Sequence, residues 1–408
     1  MSQTARPRTI TPILRHAMTE QTLSAITPTP LAAALEPAPP VLAPYRGVLT
    51  PLHFAPSASS LSEPVPSKLD APEAEIAALF EGAAVHDLGW QRRIAVRGED
   101  RARWLSGMVT NAVESLPSHS GAYNLILNAQ GRIQGDALVW HKSGSEGSAT
   151  DSEFELELEA AQSEALLAHL DQFIIMDDVE LLPLSDLTAL GLTGPTAPVL
   201  LAALGLPIPD ADLSYTEATL DDLAIRITRY HSPLVPRFSL WIDEGKVHSL
   251  WNRILISGAT AAGSAALETL RILEGTPAYA QDIQSRDLAQ ETSLTRALNF
   301  TKGCYLGQEI VERIRSRGQV HRHLRQLEIL PAESSAEIPT PGTELQLNGK
   351  PAGTLTSVAR VQLHSAQRIF AIGMIRAEAE LTERSGTHLD YAGGHVRLLA
   401  TPPRLTDS

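Results

Sequence analysis

The chain has 408 residues, a hydrophobic content of 43%, a formal net charge of −14 and one cysteine. This length and apolar content predict a globular protein with two or three packed domains. No run of about 18 apolar residues occurs, which argues against a membrane span, and the negative charge argues against wholesale nucleic-acid binding. The single cysteine excludes an internal disulfide framework, which is consistent with a protein of the reducing cytoplasm. It also excludes the ligation of an iron–sulfur cluster by four thiolates of one chain.

The first 72 residues differ in composition from the rest of the chain. Residues 1–17 carry arginines without acidic residues, but they lack an amphipathic pattern and a secretory apolar core. We therefore expect a disordered tail over 1–17, with Met18 as a second candidate for the start of the protein. Residues 24–72 are rich in Pro, Ala and Ser, which predicts extended or irregular segments. They could form an arm that packs on the protein or a flexible extension.

A strand, a glycine turn and a helix occur twice in the sequence. The first copy has a helix at 74–82, a strand at 93–97, Gly98 and a helix at 99–108. The second copy has a strand at 190–192, Gly194-Pro195 and a helix at 196–204. Because neither half can cover its own sheet, the repeat predicts two related α/β halves stacked around one pocket.

Periodicity predicts the remaining elements. Strands are expected at 123–127, 133–140, 154–159, 223–227 and 238–242, and helices at 161–173, 247–256 and 265–273. The first two strands form a hairpin, and the strict alternation of apolar residues with glutamate at 154–159 predicts a half-exposed strand. A separate β-rich unit is expected from strands at 322–330, 345–347, 352–358, 369–374 and 396–399, with a hairpin turn at Asn348-Gly349.

The lone cysteine lies in the run Lys-Gly-Cys-Tyr-Leu-Gly-Gln-Glu at 302–309, just before a predicted helix at 308–315. Helix amides and the ammonium of Lys302 are expected to favour the thiolate of Cys304, since such settings lower a cysteine pKa from about 8.5 to roughly 3.5–7.5. The alternative is that Cys304 is a small buried hydrophobic residue, which is common for an unpaired cysteine.

A basic strip surrounds the cysteine in an otherwise acidic protein. Its members are Lys302, Arg313, Arg315, Arg317, Arg322 and Arg325. A polyglutamate tail, a phosphate or an RNA backbone could bind there. Alternatively, the strip is a solvated helix face whose cations pair with Glu309 and Glu312, since Glu309 lies at i,i+4 from Arg313. Two nearby histidines, His321 and His323, are too weak a signal to predict a metal site.

The cysteine run, preceded by Asn299-Phe300-Thr301, resembles the signature of the YgfZ family, folate-binding relatives of the glycine-cleavage T-protein that support iron–sulfur enzymes. Upstream, residues 271–279 resemble the family's Arg-x-x-x-Gly-x-Pro element. The resemblance covers roughly residues 20–402. It implies an α+β, T-protein-like fold in which two α/β subdomains, at 73–180 and 181–320, surround a central folate pocket. An arm at 18–72 would run across the folate-binding face, and a small β-barrel at 321–402 would follow at the C-terminus.

The resemblance also implies site residues. Asp136, in Gly131-Arg-Ile-Gln-Gly-Asp-Ala137, takes the place of the catalytic aspartate, where a carboxylate can orient a pterin amine or move its proton. The alternative is an aspartate bonded to a neighbouring amide. The expected catalytic residues are Cys304, Asp136 and Lys302. The expected folate-binding residues are Asp136, Tyr230, Arg271, Glu291, Gln308 and Glu309, with Glu291 reading the pterin amino edge and arginines meeting glutamyl carboxylates.

The sequence departs from the T-protein at two positions. The T-protein has a loop Gly-Tyr-Thr-Gly-Glu whose glutamate binds the pterin. The corresponding residues here are 229–233, and of that loop they keep only Tyr230. At the second position, Leu267 replaces an arginine of the T-protein. Loss of charged partners weakens binding, so ordinary glycine-cleavage activity is not expected. Whether the protein is an enzyme stays open at this point.

The expected function is that of a YgfZ-type protein. It would bind tetrahydrofolate or a one-carbon derivative. Through a reactive Cys304 it would support the assembly or repair of iron–sulfur proteins, and tRNA modification would be affected indirectly. Its partners would be reduced folate and iron–sulfur client or assembly proteins. The alternatives are a folate-dependent aminomethyl or one-carbon transferase or demethylase, and an RNA-binding module linked to tRNA modification.

Overall fold

A computed structural model of the protein describes residues 26–35, 40–54, 71–144, 152–318, 320–332, 338–364, 366–383, 388–403 and 405. The predicted tail at 1–17 and the second candidate start at Met18 lie outside these residues, as does the part of the predicted arm at 55–70. Within the described ranges, no helix combines the length and apolar content that crossing a membrane requires.

The described part of the arm is a short helix followed by a hairpin. Helix α1 (Pro30–Ala34) is capped by Thr29, whose side-chain oxygen accepts a backbone N–H of the first turn at 3.1 Å. Strands β1 (Val41–Tyr45) and β2 (Val48–His53) pair antiparallel. The Thr29 hydroxyl also donates to the buried carboxylate of Asp87, which fastens the arm to the body of the protein.

The first α/β unit follows helix α2 (Glu73–Glu81) and strand β3 (Ala84–Asp87). Its elements are β4 (Gln91–Arg97), α3 (Arg101–Met108), β5 (Gly121–Leu127), β6 (Ile133–Lys142), β7 (Glu153–Glu159), α4 (Ala160–Asp171) and β8 (Glu180–Pro183). The strands form a five-stranded sheet in the order β5-β6-β7-β4-β8. Apolar side chains of α3 and α4 pack against one face of this sheet and form its core.

The second unit repeats the same order of elements. They are β9 (Leu187–Thr193), α5 (Ala197–Ala203), β10 (Ser214–Leu220), β11 (Leu223–Arg229), β12 (Arg237–Asp243), α6 (Val247–Ile256) and β13 (Thr260–Ala262). Its sheet has six strands in the order β10-β11-β12-β9-β3-β13, because β3 inserts between β9 and β13. The two related halves expected from the strand-glycine-helix repeat are therefore confirmed.

Two glycines make the repeated turn from strand to helix possible. Gly98 and Gly194 have φ values of 105° and 131°, in the region that favours glycine. A Cβ atom would lie 2.0 Å from the Asp178 carbonyl oxygen at Gly98 and 2.3 Å from the Gly82 carbonyl oxygen at Gly194. Any larger residue would push the backbone apart, so each unit needs glycine at this point.

A closed barrel forms the C-terminal part. Helices α7 (Ser264–Leu273) and α8 (Gln308–Arg317) precede it, and short 3-10 helices lie at Glu244–Lys246, Ala289–Thr292 and Thr295–Ala297. The remaining elements are β14 (Arg322–Pro331), β15 (Glu344–Leu347), β16 (Lys350–Leu363), β17 (Ala366–Arg376), α9 (Ala377–Glu383), β18 (Leu389–Tyr391) and β19 (Gly394–Leu398). The barrel order is β14-β17-β16-β15-β18-β19. Asn348 and Gly349 have φ values of 51° and 75°, which confirms the predicted hairpin turn.

Strand β7 is buried on both faces, so the prediction of a half-exposed strand is wrong. Its apolar residues pack under α3 and α4, while Glu153, Glu155 and Glu157 are only 6%, 1% and 3% exposed. An alternating strand turns its polar face to water only where nothing covers that face. Here the second sheet covers it, and Arg226 of β11 reaches across to Glu155.

Ion pairs within the first sheet and one ion pair from the second sheet neutralise Glu155 and Glu157. Arg93 on β4 donates to Glu155 at 2.6 Å and to Glu157 at 2.9 Å, and Arg226 donates to Glu155 at 2.6 Å. The Arg93 guanidinium carbon lies 4.3 Å from the ring centroid of Trp241. Burial opposes the charge of Glu155, but the two guanidiniums together hold its pKa at about 2, so Glu155 is ionised at neutral pH.

We expect the variant Glu155→Ala to lower the free energy of unfolding by about 3–5 kcal/mol, because it removes the buried carboxylate that Arg93 and Arg226 share. Urea denaturation at pH 7 measures this loss. The matched control is Glu217→Ala, which removes an exposed partner of Arg226 and should cost under about 1 kcal/mol. Equally small losses in both variants would contradict a structural role for the buried pairs.

The same pair predicts a pH dependence. The pKa of Glu155 in the folded protein, about 2, lies below its ordinary value of 4.5. Its contribution to stability is therefore present above pH 4.5 and is lost as the pH falls toward 2. Acid unfolding of the Glu155→Ala variant should be correspondingly less steep in this window.

Candidate functional site

A pocket of about 150 Å³ lies where the two α/β units, helix α7 and the arm meet. Its walls combine aromatic rings with carboxylates and guanidiniums, a composition that suits a ligand with an aromatic part and charged ends. The lining residues are Tyr45, Arg46, Trp90, Gln91, Tyr123, Asp136, Ala137, Leu138, Glu157, Leu158, Glu159, Gln162, Arg237, Leu267, Arg271, Thr276 and Pro277.

Asp136 lies in this pocket on β6 and is held by two neighbours. Tyr123 on β5 donates its hydroxyl to Oδ2 at 2.5 Å, and Gln162 on α4 donates Nε2 to Oδ1 at 2.8 Å. The Oε1 atom of Gln162 accepts the Asp136 backbone amide at 3.1 Å, so one side chain fixes both parts of the residue. Gly135 permits this approach, since a Cβ there would lie 2.7 Å from that Oε1.

Tyr123 stays a hydrogen-bond donor to Asp136. Burial raises the pKa of Tyr123 well above its ordinary value, and the negative charge of Asp136 raises it further. The hydrogen bond therefore leaves Asp136 as the acceptor of the pair. The predicted hairpin could have revealed this partner, because Asp136 pairs with Leu125 and Tyr123 lies two residues away on the same face.

Tyr230, which the resemblance implies as a folate ligand, lies behind the pocket wall. It is 8% exposed, and its hydroxyl donates to Oε1 of Glu157 at 2.5 Å. Trp140 also donates to Glu157, from Nε1 at 3.0 Å. Glu157 lines the pocket, so Tyr230 acts on the pocket by positioning this carboxylate.

Arg271 lines the pocket, but its guanidinium is engaged within the protein. It donates to Glu268 at 2.5 and 3.0 Å, to Asp282 at 2.5 Å, to Ser357 of the barrel at 2.8 Å and to the Thr276 carbonyl at 2.7 Å. These contacts use the five N–H donors of an arginine. The expected contact of Arg271 with glutamyl carboxylates therefore lacks a free donor, and Arg271 instead joins α7 to the barrel.

Glu291, expected to read the pterin amino edge, lies away from the pocket. It is 7% exposed, and its carboxylate accepts Nε of Arg322 at 2.9 Å and the Leu288 backbone amide at 2.9 Å. Arg322 opens the first barrel strand and also donates to Asp287 at 2.8 Å. Glu291 therefore fastens the barrel to the segment before it, and both of its carboxylate oxygens accept hydrogen bonds from protein groups.

Two other arginines reach the pocket without any sequence signal. Arg46, in the hairpin turn of the arm, forms an ion pair with Glu159, and its guanidinium carbon lies 5.0 Å from the ring centroid of Trp90. Arg237 begins β12 and makes no hydrogen bond or ion pair through its guanidinium with the described residues. Both positions depend on packing between distant segments, which periodicity does not report.

The cysteine motif lies outside the pocket, where helix α8 begins. Cys304 is exposed to solvent. The turn ends at Gly307, with φ of 82°, and the Gln308 amide donates to the Tyr305 carbonyl at 3.1 Å. The Gln308 side chain accepts the Tyr305 amide at 3.3 Å, and Glu309 is exposed, so neither side chain is part of the pocket lining.

The ammonium of Lys302 caps a helix. Its Nζ donates to the carbonyl oxygens of Ser106, Val109 and Asn111 at 2.7, 2.6 and 2.8 Å, at the end of α3 where backbone acceptors lack helical partners. Burial lowers the pKa of Lys302 to about 8, which still leaves the ammonium protonated at pH 7. The three carbonyls use its three donors, so no N–H is left for the expected role on the thiol.

Most of the basic strip is paired. The cations with partners are Lys302, Arg315, Arg322 and Arg325. In the described part of the strip, Arg313 and Arg317 make no ion pair, and Glu309 does not pair with Arg313. This pairing favours a solvated, partly neutralised face and weakens the RNA alternative, which depends on free cations.

Two α/β units of the same topology around a charged, aromatic pocket, followed by a closed barrel, define a protein of the T-protein-like class. The chain belongs to the family of the GCVT N-terminal domain, whose model matches residues 40–302. The crystal structure of glycine cleavage system aminomethyltransferase T from Bartonella henselae matches with a TM-score of 0.74, covering 93% of this chain and 97% of that chain at 21% identity. This likeness confirms the expected fold class.

Three relatives show how varied the names in this family are. A putative chloroplastic transferase of Arabidopsis thaliana is 26% identical over 74% of this chain and 67% of its own length. An aminomethyltransferase of Herpetosiphon aurantiacus is 28% identical over 60% of this chain and 67% of its own length. The tRNA-modifying protein YgfZ of Serratia proteamaculans is 26% identical over 66% and 78%. The specific activity therefore does not follow from similarity alone.

We expect Lys302→Met to lower the free energy of unfolding by about 1–3 kcal/mol, because the carbonyls at the end of α3 lose their donor. The rate of Cys304 alkylation at neutral pH should stay unchanged, because the Lys302 ammonium donates to backbone carbonyls and not to the thiol. Lys246→Met is a suitable control, since Lys246 is half-exposed and donates to a single surface carbonyl. A stable Lys302→Met protein in which Cys304 is alkylated more slowly would instead support the role expected from the sequence.

Proposed function

We propose that the protein binds a reduced folate, tetrahydrofolate or a one-carbon derivative, in the pocket beside Asp136. The observation that carries this proposal is the Asp136 carboxylate, fixed by Tyr123 and Gln162 among aromatic walls. A reduced folate presents a flat ring system, ring N–H donors and carboxylates, which match aromatic walls, a fixed acceptor and guanidiniums. Membership of the GCVT family, with relatives named aminomethyltransferase, supports the same ligand class.

Asp136 would orient the ligand and handle its proton. Both of its oxygens already accept one hydrogen bond, and each retains a further lone pair for a ring N–H. Tyr45 and Trp90 meet edge to face with ring centroids 5.6 Å apart and form part of the aromatic wall. A ring bound against them would be held in a fixed position relative to the carboxylate, as proton transfer requires.

Within this family we propose a YgfZ-type role in the assembly or repair of iron–sulfur proteins. The exposed Cys304, beside Gly303 in a turn, is accessible to a partner protein. One cysteine cannot supply the four thiolates of a cluster, so the protein would act on client or assembly proteins without holding a cluster itself. Relatives named tRNA-modifying protein YgfZ, in Serratia and Yersinia, support this reading, with tRNA modification affected through cluster-dependent enzymes.

A second candidate is a folate-dependent aminomethyl or one-carbon transferase, or a demethylase. It is favoured by Asp136, which lies in the pocket at the position that the resemblance gives to the catalytic aspartate, and by the aminomethyltransferase relatives. Pro233 stands where the T-protein loop carries its pterin-binding glutamate, which disfavours this candidate. The two candidate functions differ in the residue that they require: the YgfZ-type role requires Cys304, whereas transferase or demethylase activity requires Asp136.

Tetrahydrofolate should bind the purified protein, with heat in a calorimetric titration and a rise in Tm. A ligand at 100 times its Kd stabilises a protein by about 2.7 kcal/mol. Asp136→Asn should weaken binding roughly tenfold or more, because a charged acceptor becomes neutral. Asp222→Asn is the matched control, since that side chain is 85% exposed. Absence of heat and of a Tm shift at millimolar tetrahydrofolate would reject folate binding.

Cys304→Ser should leave the fold and folate binding intact, because the thiol is exposed and its replacement opens no cavity. The same variant should fail to restore iron–sulfur enzyme activities in cells that lack the protein. Asp136-dependent transferase activity, if present, should survive this change. A serine variant that loses Tm but complements normally would show that Cys304 is structural.

A further inference from the structure

The turn of the arm hairpin places an arginine side chain in the pocket. Strands β1 and β2 pair up to Tyr45 and Val48, so Arg46 and Gly47 alone form the turn. The Arg46 side chain is 10% exposed and belongs to the pocket lining. The Arg46 carbonyl accepts the Ala161 amide at 3.0 Å, which fixes the turn to the first residues of α4. The hairpin therefore ends against the pocket and not in solvent.

The backbone of Arg46 has a conformation that arginine disfavours. Its φ is 48°, and that of Gly47 is 93°. Two-residue turns with two positive φ values prefer Asn, Asp or Gly at the first position, because a longer side chain gains nothing there and its Cβ crowds the backbone. A Cβ at Gly47 would lie 2.8 Å from the Ala161 nitrogen, so the second position requires glycine. The turn itself gives no reason for an arginine, and strain of this kind is typical of ligand sites and switches.

The Arg46 guanidinium lies over the aromatic wall of the pocket. Its central carbon is 4.9 Å from the ring centroid of Tyr45 and 5.0 Å from that of Trp90. It pairs with Glu159 on β7 and, at 3.4 Å, with Glu268 on α7, while its Nε is buried without an acceptor. Both rings and Glu159 line the pocket in which the folate ring is proposed to bind. The guanidinium therefore occupies part of the surface that the ligand would use.

The small size of the pocket agrees with this occupation. Small-molecule sites ordinarily enclose about 300–1,000 Å³, whereas this pocket encloses about 150 Å³ beside the Arg46 side chain. A guanidinium and the amino-pyrimidinone edge of a reduced pterin are chemically alike. Both are flat, both present N–H donors to a carboxylate, and both bind on the faces of aromatic rings. The two groups therefore compete for the same rings and the same carboxylate.

We propose that Arg46 is an internal plug: its guanidinium closes the pocket before a ligand binds, and the ring of a reduced folate enters by displacing Arg46 from Trp90 and Glu159. This inference rests on the proposed folate binding and deepens it, since it states what must move first. The positive φ and the unpartnered Nε oppose the closed turn, so its ion pairs do not lock it. A ligand without N–H donors would leave Glu159 without a partner, so the plug also selects for a pterin-like edge.

The test measures binding by calorimetry and association by stopped flow, with tetrahydropterin, which is the ring alone, and with tetrahydrofolate. Arg46→Ala should bind both ligands roughly tenfold more tightly than the wild type and with a higher kon, because a pocket that is mostly closed lowers the apparent affinity by its open fraction. Gly47→Ala should act in the same direction, since it displaces the turn without changing a side chain of the pocket lining. Arg313→Ala, on the exposed side of α8, is the control and should bind as the wild type does.

The outcomes separate this inference from the folate proposal. Equal or weaker binding of both ligands by Arg46→Ala would overturn the plug and leave folate binding intact, because Arg46 would then be a wall residue or a ligand contact. Tighter binding by Arg46→Ala but not by Gly47→Ala would also overturn it, since the gain would not come from opening the turn. If neither the wild type nor Arg46→Ala binds either ligand, both proposals are wrong. Circular dichroism of each variant without ligand distinguishes an opened turn from a lost fold.

Discussion

The pairing of Arg226 on β11 with Glu155 on β7 is the interaction on which the arrangement of the two α/β units depends. Helices cover one face of the first sheet, and the second sheet covers the other, where β7 presents glutamates. Buried carboxylates are tolerated only with charged partners in close contact. Arg93 compensates these charges within the first sheet. A shifted packing of the units would separate Arg226 from Glu155 and Tyr230 from Glu157, so these contacts favour one relative position of the two sheets.

The same strand carries this constraint into the pocket. Glu157 pairs with Arg93 on one side and lines the pocket on the other, where Tyr230 holds its second oxygen. Two residues further along, Glu159 pairs with Arg46 of the arm. The pocket walls are therefore set by the contact between the units and are not formed by one unit alone. This explains why the candidate site lies at the junction and why the arm takes part in it.

The pocket and the thiol are separate sites with a direct packing connection. The loop of the β5–β6 hairpin, which carries Asp136, lies against the start of α8. A Cβ atom at Gly131 would lie 2.8 Å from Ile310, and a Cβ atom at Gly307 would lie 2.6 Å from the Asn128 carbonyl oxygen. Both positions need glycine because of this close approach. The hairpin that carries Asp136 is therefore packed directly against the helix that follows Cys304.

The sequence by itself determined the elements that depend on neighbouring residues, because those residues set both the backbone conformation and the hydrophobic periodicity. These elements are the repeated glycine turns, the hairpin with Asp136, the Asn348-Gly349 turn and the turn before α8. Only the tertiary structure decided which charged groups are available. Arg271 and Lys302 carry the right charge in the right motif, yet groups of the protein occupy their donors, among them Ser357 of the barrel for Arg271 and carbonyls at the end of α3 for Lys302. In the pocket lining it is Arg237 whose guanidinium makes no hydrogen bond or ion pair with the described residues, since hydrogen-bond partners depend on contacts between distant segments that no local pattern encodes.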